Sequence, residues 1–400
     1  MSLFLSVIPV EEAQELVRQI TTSTKKESIS LKNAYLRVLA EDITAKEDIP
    51  GFSRSIVDGY GVLSADTTGA GESMPAMLEC LGRVEMGTKS EYAIKSGQCV
   101  YLPTGAMLPE DCDAVAMIEY SERMDKDILI HRSMAKGENA IMQGEDFSED
   151  VVAIKKGALL RPQECGVLAA LGYESVEVFS KPRIGIISTG NEIVPVTKSP
   201  APGEIRDVNS YLCGLSVSAE GGVPVYYGIV MDQPEELKKI LEKAIAENDA
   251  VLISGGSSKD MRDATAYAIK ELGEILVHGI SIAPGKPTII GKAGDVPVVG
   301  LPGHPASAFV VLKIIVSHMI GEMTGSQSIL RICTSVLGNS IPSDQGKDEY
   351  IRVRIEDGHA IPIFGKSGLI NTLSGSDGIV RVPVGSEGFE AGEQVRVILW

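Results

Sequence analysis

Between Arg183 and Met319 short apolar runs alternate with amphipathic stretches, and this alternation restricts the fold more than any other feature of the chain. Arg183–Ser188, Val223–Val230 and Ala250–Ile253 are apolar runs of strand length, and Ile275–His278, Thr288–Gly291 and Val296–Gly300 are further strand candidates. Behind Pro234, Glu235–Glu247 puts Leu237, Ile240, Leu241, Ala244 and Ile245 on one helical face. Ala264, Tyr267, Ala268 and Leu272 recur at helical spacing after Asp263, which the pattern places as an N-cap. Strands alternating with helices predict a parallel sheet covered by helices on both faces. Ligands of such sheets lie beyond the carboxyl ends of the strands. Ser188-Thr189-Gly190-Asn191-Glu192, Asp232, Ser254–Asp263 and Gly300–Pro305, with Pro302 and Gly303 inside it, all fall at those ends. Gly255 and Gly256 let a ligand approach the main chain, and the turns at Ser188–Gly190 and Ser254–Ser257 offer amide donors to an anion. An ordinary strand-to-helix turn has the same residues. The Gly-Gly pair gains weight from the other polar turns on its edge.

Four hundred residues exceed one hydrophobic core, and 44% hydrophobic with 23% charged residues is a globular composition. The net charge of −17 argues against nucleic acid or an anionic membrane as partner. A local cradle of amides, or a bound cation, still accommodates an anionic ligand. The six cysteines show no C-x-x-C pair and read as free thiols of a reducing cytoplasm. The start Leu3–Val10 meets Pro9 and acidic Glu11 and Glu12, unlike a signal peptide. Ala306–Ile320 contains Lys313 and His318, is short for a membrane span, and reads as a buried helix.

The flanks differ in pattern. Val10–Ile20 reads as a helix, and Leu31–Ile43 as a second helix followed by a short strand. Asp48–Gly61 is a Pro- and Gly-rich loop in which Asp58 precedes Gly59. From Gly61 to Ile141, short runs such as Val100–Leu102, Ala114–Ile118 and Ile128–His131 predict a small β-rich unit. Gly157–Leu171 reads as a returning strand and helix. Ile332–Leu337, Tyr350–Ile355, Ala360–Phe364, Gly378–Val382 and Gln394–Leu399 predict a small antiparallel barrel or sandwich. The Ser and Gly residues at 366–368 and 374–376 read as turns or as the lining of a cleft. The fold class is therefore multidomain α/β and β. A helical and mixed N-terminal domain (1–50 plus 146–180) carries a β-rich insertion (51–145), followed by an α/β domain (181–327) and a C-terminal β domain (328–400), barrel or sandwich.

Asp58-Gly-Tyr60, Thr104-Gly-Ala106, Gly144-Glu-Asp146, Ser188-Thr-Gly-Asn-Glu192, Ser254-Gly-Gly256 with Asp263, Pro284-Gly-Lys286-Pro287 and Gly300-Leu-Pro-Gly-His-Pro305 occur in one order along the chain. With them the chain resembles, end to end, the MoeA family of molybdopterin molybdenumtransferases, related to the C-terminal part of gephyrin. The resemblance implies an elongated homodimer with a MogA-like α/β domain. It implies insertion of molybdate or tungstate into adenylylated molybdopterin (molybdopterin-AMP) with release of AMP, dependent on Mg²⁺, and a MogA/MoaB-type adenylyltransferase as a partner. It implies catalytic roles for Asp58, Thr104, Asp146, Asp232 and Lys286, with Asp58 and Thr104 reaching the cleft from the second subunit. Ser188, Thr189, Gly190, Ser254, Gly255, Gly256, Ser257, Pro302 and Gly303 would bind the pterin nucleotide. Glu192, Asp232 and Asp263, at three strand ends, suit hard-oxygen ligation of Mg²⁺. The chain departs from the family where cations are usual, at Ile141, Met142, Gln143, Gly279 and Ala283. Ser258-Lys259-Asp260 continue the Gly-Gly loop, and His304 stands where Asn is usual. A non-catalytic binder of molybdopterin or an oxyanion, acting as carrier, sensor or scaffold, is the alternative reading.

Overall fold

The computed structural model describes residues 7–255, 259–326, 330–344 and 346–400, the side chains of 259–263 excepted. The central sheet has the spatial order Val223–Val230, Arg183–Thr189, Ala250–Gly255, Val296–Leu301, Ile289–Ala293, Glu274–His278. The first four strands are parallel, but Ile289–Ala293 runs antiparallel to both neighbours. The sheet is thus mixed where the sequence pattern predicted a parallel one. Only Gly294 and Asp295 separate Ala293 from its partner Val296, and Gly294 takes φ 60°. So short a link makes a hairpin, whereas a parallel crossover needs a dozen residues or more.

Successive side chains of a strand point to opposite faces, so each strand feeds two cores. Ile184, Ile186, Ala250, Leu252 and Val299 pack on one face, with Cys213 and Val217 of helix Asn209–Ala219 and the long helix Pro305–Thr324. Ile187, Val251, Ile253 and Val298 pack on the other, under helices Pro234–Glu247 and Lys259–Leu272. Helix Lys259–Leu272 starts before Asp263, which is therefore not its N-cap. Apolar periodicity marks where a helix meets its core; Lys259 and Arg262, good helix formers, extend it outward. Pro305–Thr324 is long and apolar enough to cross a membrane, yet Val310, Val311, Ile315 and Met319 are fully buried in the first core. Helix Val10–Ile20 buries Val10, Ala13 and Val17 in that same core, so it packs with the α/β layer although the sequence grouped it with 146–180.

Leu31–Ile43 forms no α-helix. A single 3₁₀ turn, Leu31–Asn33, is followed by Leu36 at φ 57°. The amides of Leu36, Leu39 and Ala40 bond the carbonyls of Leu160, Ala158 and Glu177. Long-range pairing takes the backbone groups a helix would have used, and Ala34, Leu39 and Ile43 still reach a core with Leu160, Leu168 and Val178. The β-rich unit is a sheet in the order Ala114–Met117, Gly59–Val62, Gln98–Leu102, Ala76–Arg83, Asp127–Ile130, Ser121–Met124.

The C-terminal strands Ile332–Leu337, Asp348–Glu356, His359–Pro362, Gly378–Val382 and Gln394–Leu399 form a closed barrel, because Gly378–Val382 pairs with both Gln394–Leu399 and Asp348–Glu356. Ile282–Ala283 of the α/β region adds to it alongside Asp348 and Glu349. At the same junction Arg381 holds the buried Asp348 carboxylate at 2.9–3.0 Å and bonds Glu11 of the N-terminal helix, and the Phe309 and Trp400 rings lie 4.7 Å apart.

Candidate functional site

The sheet reverses its winding between Arg183–Thr189 and Ala250–Gly255: the chain goes outward to Val223–Val230 on one side, then returns on the other. A crevice at such a switch point is the usual ligand position of an α/β sheet. Ser188, Thr189 and Ser254 end the two strands and are each 1% exposed, so their hydroxyls need partners. Ser188 Oγ donates to Asp207 Oδ1 (3.0 Å), which also accepts the Ser210 N–H (3.1 Å) in the first turn of helix Asn209–Ala219. Thr189 Oγ1 donates to Asp232 Oδ1 (2.9 Å), and the Asp232 N–H donates to Asn191 Oδ1 (3.1 Å). Asn209 Nδ2 donates to Ser254 Oγ and to Gly303 O, both at 2.8 Å. Asp207 and Asn209 thus tie the strand ends to the Pro302–Gly303 loop. The sequence reading passed over both; the signal was Asp-x-Asn at a helix start, a capping pattern.

The amide cradle expected at Ser188–Gly190 does not form. Ser188 and Thr189 stay in the strand ladder, and the Gly190 N–H goes to Val230 O at 3.2 Å. Gly255 ends its strand opposite Thr189. Gly256, Ser257 and the side chains of Lys259, Arg262 and Asp263 lie outside the described residues. Glu192 folds back over Gly190, where a Cβ would stand 2.9 Å from Oε2. Among the described residues no three acidic, His or Cys side chains stand together as a metal site. Glu192 and Asp232 nevertheless bring hard carboxylate oxygens to neighbouring turns, and only Oδ1 of Asp232 is engaged by a described residue. That donor chemistry fits Mg²⁺.

A concavity of about 210 Å³ lies between the α/β region and the barrel, lined by Ala283, Pro284, Glu349, Arg352, Phe364 and Ser367. Arg352 is 7% exposed. Its Nη2 donates to Gly365 O at 2.8 Å, while Nη1 has no partner among the described residues. Burial lowers its pKa from the ordinary guanidinium value, yet an arginine stays charged at neutral pH. Glu349 pairs with Lys347 at 3.1 Å, so it does not neutralise Arg352. A buried cation with an unused donor suits an oxyanion. Lys286 is exposed on the turn that carries Pro284. A larger hollow of about 590 Å³, walled by Leu31, Cys165, Gly166 and Tyr173, shares no residue with the Arg352 cleft.

Asp58 and Thr104 meet on the β-rich sheet. Asp58 Oδ1 accepts the Thr104 N–H (2.7 Å) and its Oγ1–H (2.9 Å). These bonds, with the Arg83 charge nearby, hold the Asp58 carboxyl below the usual carboxylate range. Asp146 is not part of this pair: its N–H bonds Ile49 O at 3.0 Å, on the ribbon beside Asp48 and Gly144.

Family models match consecutive stretches of the chain: "MoeA N-terminal region (domain I and II)" over residues 8–172, "Probable molybdopterin binding domain" over 185–322, and "MoeA C-terminal region (domain IV)" over 334–400. The molybdopterin molybdenumtransferase of Bacillus subtilis is 30% identical over 98% of this chain and 94% of its own. The molybdopterin biosynthesis MoeA protein of Pyrococcus horikoshii OT3 superposes with a TM-score of 0.85 at 32% identity, covering 99% of this chain and 100% of that one. Another crystal structure of the Pyrococcus horikoshii protein gives 0.81 at 36% identity, covering 98% and 99%.

The chain belongs to the MoeA family. It is an enzyme of molybdenum cofactor biosynthesis, of the transferase class. In this MoeA chain burial pushes the Cys112 thiol up to about 12, and those of Cys99 and Cys213 higher still. These three buried thiols stay protonated and inert.

Proposed function

We propose that this MoeA chain inserts molybdate or tungstate into adenylylated molybdopterin and releases AMP, with Mg²⁺ required. The loop Leu301–His304 carries the reading. At Gly303 it is bonded to the strand-end crevice through Asn209, and at His304 it is bonded to Ser367 of the Arg352 cleft. A site for a cation-bound pyrophosphate and a site for an oxyanion therefore share one wall.

Ser254, Gly255, Pro302 and Gly303 form the floor for the pterin nucleotide, kept rigid by Asp207 and Asn209. Glu192 and Asp232, with Asp263, would hold Mg²⁺, which supplies charge neutralisation at the phosphoanhydride when bound. Breaking that bond needs positioning and charge compensation rather than a protein nucleophile, in keeping with the inert thiols. Arg352 receives the oxyanion, with Lys286 near the cleft mouth. Asp58 and Thr104 belong to another sheet, and we assign them to the cleft of a second copy in a homodimer. Six free cysteines suit the cytoplasm. A MogA/MoaB-type adenylyltransferase would provide the adenylylated pterin.

The test is complementation. Asp58→Asn and Asp232→Asn chains are purified separately, then unfolded and refolded together. AMP release should be negligible for each alone and return in the mixture, because mixed dimers regain one intact site. No recovery, with mixed dimers shown by mass spectrometry, would place Asp58 in its own chain's chemistry. A wild type that binds both pterin nucleotide and oxyanion yet never releases AMP would be a binder only.

A further inference from the structure

We propose that His304 is a positioning residue for the oxyanion: it donates Nδ1–H to Ser367 Oγ and so turns the Ser367 hydroxyl proton into the Arg352 cleft. This rests on the oxyanion reading of that cleft.

His304 is the residue before helix Pro305–Val311, the position from which a side chain ordinarily caps its own helix. It makes no capping bond. Its ring is turned across the domain boundary instead, with Nδ1 2.8 Å from Ser367 Oγ. The Ser367 main chain is held from the same place, since the Ala306 N–H donates to Ser367 O at 3.0 Å. The ring lies against Gly368, where an added Cβ would stand in ordinary contact 3.8 Å from His304 Cδ2. Ser367 is therefore fixed twice, by His304 and by Ala306 in the first turn of the helix that follows, and it lines the cleft with Arg352.

A serine hydroxyl has one proton and two lone pairs. If Ser367 donates to Nδ1, only lone pairs are left for the cleft, and they repel an oxyanion. If Nδ1 carries the proton, Ser367 Oγ accepts it and its own O–H is free to donate. That O–H and the unpartnered Arg352 Nη1 then present two donors to a ligand whose oxygens only accept. Molybdate and tungstate are ligands of this kind. Bound oxyanion thereby selects the Nδ1–H form of His304.

The test uses the full chain and tungstate alone as probe, by isothermal titration calorimetry on wild type, His304→Ala, His304→Asn, Ser367→Ala and Arg352→Met. Circular dichroism confirms that each is folded. His304→Ala should weaken binding about fivefold to tenfold, the range of one hydrogen bond to a charged ligand. Ser367→Ala should weaken it equally, and the double variant no further, because both remove one donor. His304→Asn should recover most of the affinity, since its amide N–H can donate where Nδ1–H did. In tungstate-saturated protein labelled with ¹⁵N-histidine, the His304 resonance should report a protonated Nδ1. Unchanged affinity of His304→Ala beside a weakened Arg352→Met would overturn this inference and leave the oxyanion cleft standing. A proton found on Nε2 alone would overturn it as well. Wild type that binds no tungstate, or Arg352→Met that binds it like wild type, would remove the cleft reading and this inference together.

Discussion

The strand-end crevice and the Arg352 cleft meet at one loop but are built in opposite ways. In the crevice the Ser188 and Thr189 hydroxyls donate to Asp207 and Asp232, and Ser254 Oγ accepts from Asn209. What is left for a ligand is carboxylate oxygen on Asp232 and Glu192. In the cleft a guanidinium nitrogen of Arg352 has no partner among the described residues. A region that has satisfied its donors and keeps free acceptors suits a cation, and one that keeps a free donor on a buried charge suits an anion. The first is a frame with a metal-binding edge, the second an oxyanion receptor. Each can be removed without removing the other.

The largest effect is expected in the crevice. Asp232→Asn keeps an oxygen for the Thr189 hydroxyl, and Glu192→Gln keeps the shape over Gly190, so both should fold normally. Each should lower Mg²⁺-dependent AMP release about a hundredfold or more, as loss of a metal-orienting carboxylate does. Tungstate affinity in the cleft should stay within twofold of wild type, about 0.4 kcal/mol or less. If AMP release survives both changes, the Mg²⁺ assignment is wrong. If tungstate binding collapses too, the two regions are one site.

Arg352→Met is the reciprocal change. It should weaken tungstate by about thirtyfold, roughly the 2 kcal/mol of a charge-assisted hydrogen bond. It also leaves Gly365 O unpaired, a structural loss of about 1 kcal/mol that urea unfolding would register. The dependence of residual AMP release on Mg²⁺ concentration should not move. Arg352→Lys, which keeps the charge and loses the fork, should fall between.

Legibility in the sequence followed what each residue packs against. Strands buried on both faces are continuous apolar runs, so Arg183–Thr189 and Ala250–Gly255 were readable, and their polar ends marked the crevice. The barrel strands were readable as short runs between turn signals, though not as a barrel rather than a sandwich. Arg352 was not. Ile351 and Val353 face the barrel core, while Tyr350 packs into the core of the α/β layer and Arg352 lies in the cleft, bonded to Gly365. Nothing within the strand separates Arg352 from its exposed neighbour Arg354. Ser188 and Thr189 were legible as strand-end hydroxyls but not in their task, because Asp207 and Asp232 come from distant segments. Leu31–Ile43 has a helix-compatible pattern, and tertiary pairing with 158–160 and 177 overrode it.

The positions that lack the usual cations divide in the same way. Gly279 has φ 121°, where a side chain is strained, so Gly279→Lys should cost stability and give no useful charge. Ala283 lines the cleft. Ala283→Lys alone should tighten tungstate binding by up to about tenfold, the scale of 1–2 kcal/mol for an added charge-assisted contact, and Ala283→Asp should weaken it. Calorimetry on the two variants decides. Equal affinities would show that the Ala283 side of the cleft does not face the oxyanion.

The smallest effect belongs to Thr104→Val, on the β-rich sheet that is assigned to the cleft of a second copy. Two bonds hold the Asp58 carboxyl below its ordinary pKa, the Thr104 N–H first and the Thr104 hydroxyl second, with the Arg83 charge as a lesser aid. Valine removes the hydroxyl and keeps the N–H. Asp58 should therefore titrate at higher pH than in wild type, yet still below an unperturbed aspartate. The stability consequence has a definite sign. A carboxyl whose folded pKa is depressed contributes stability above its unfolded value and loses it as pH falls through the folded value. Thr104→Val should thus be slightly less stable than wild type at pH 7, and the difference should vanish in acid, once Asp58 is protonated in both proteins. Carboxyl ¹³C chemical shifts followed across the acid range measure the titration, and urea unfolding at each pH measures the difference. Tungstate affinity and the Mg²⁺ dependence of AMP release, read on the same variant, separate this pair from the other two regions. An Asp58 titration that stays where it is in wild type would show that the backbone N–H alone sets it. Thr104 would then be left with no electrostatic part to play, and any loss of AMP release in the variant would have to come from the hydroxyl's own contact with the reacting groups.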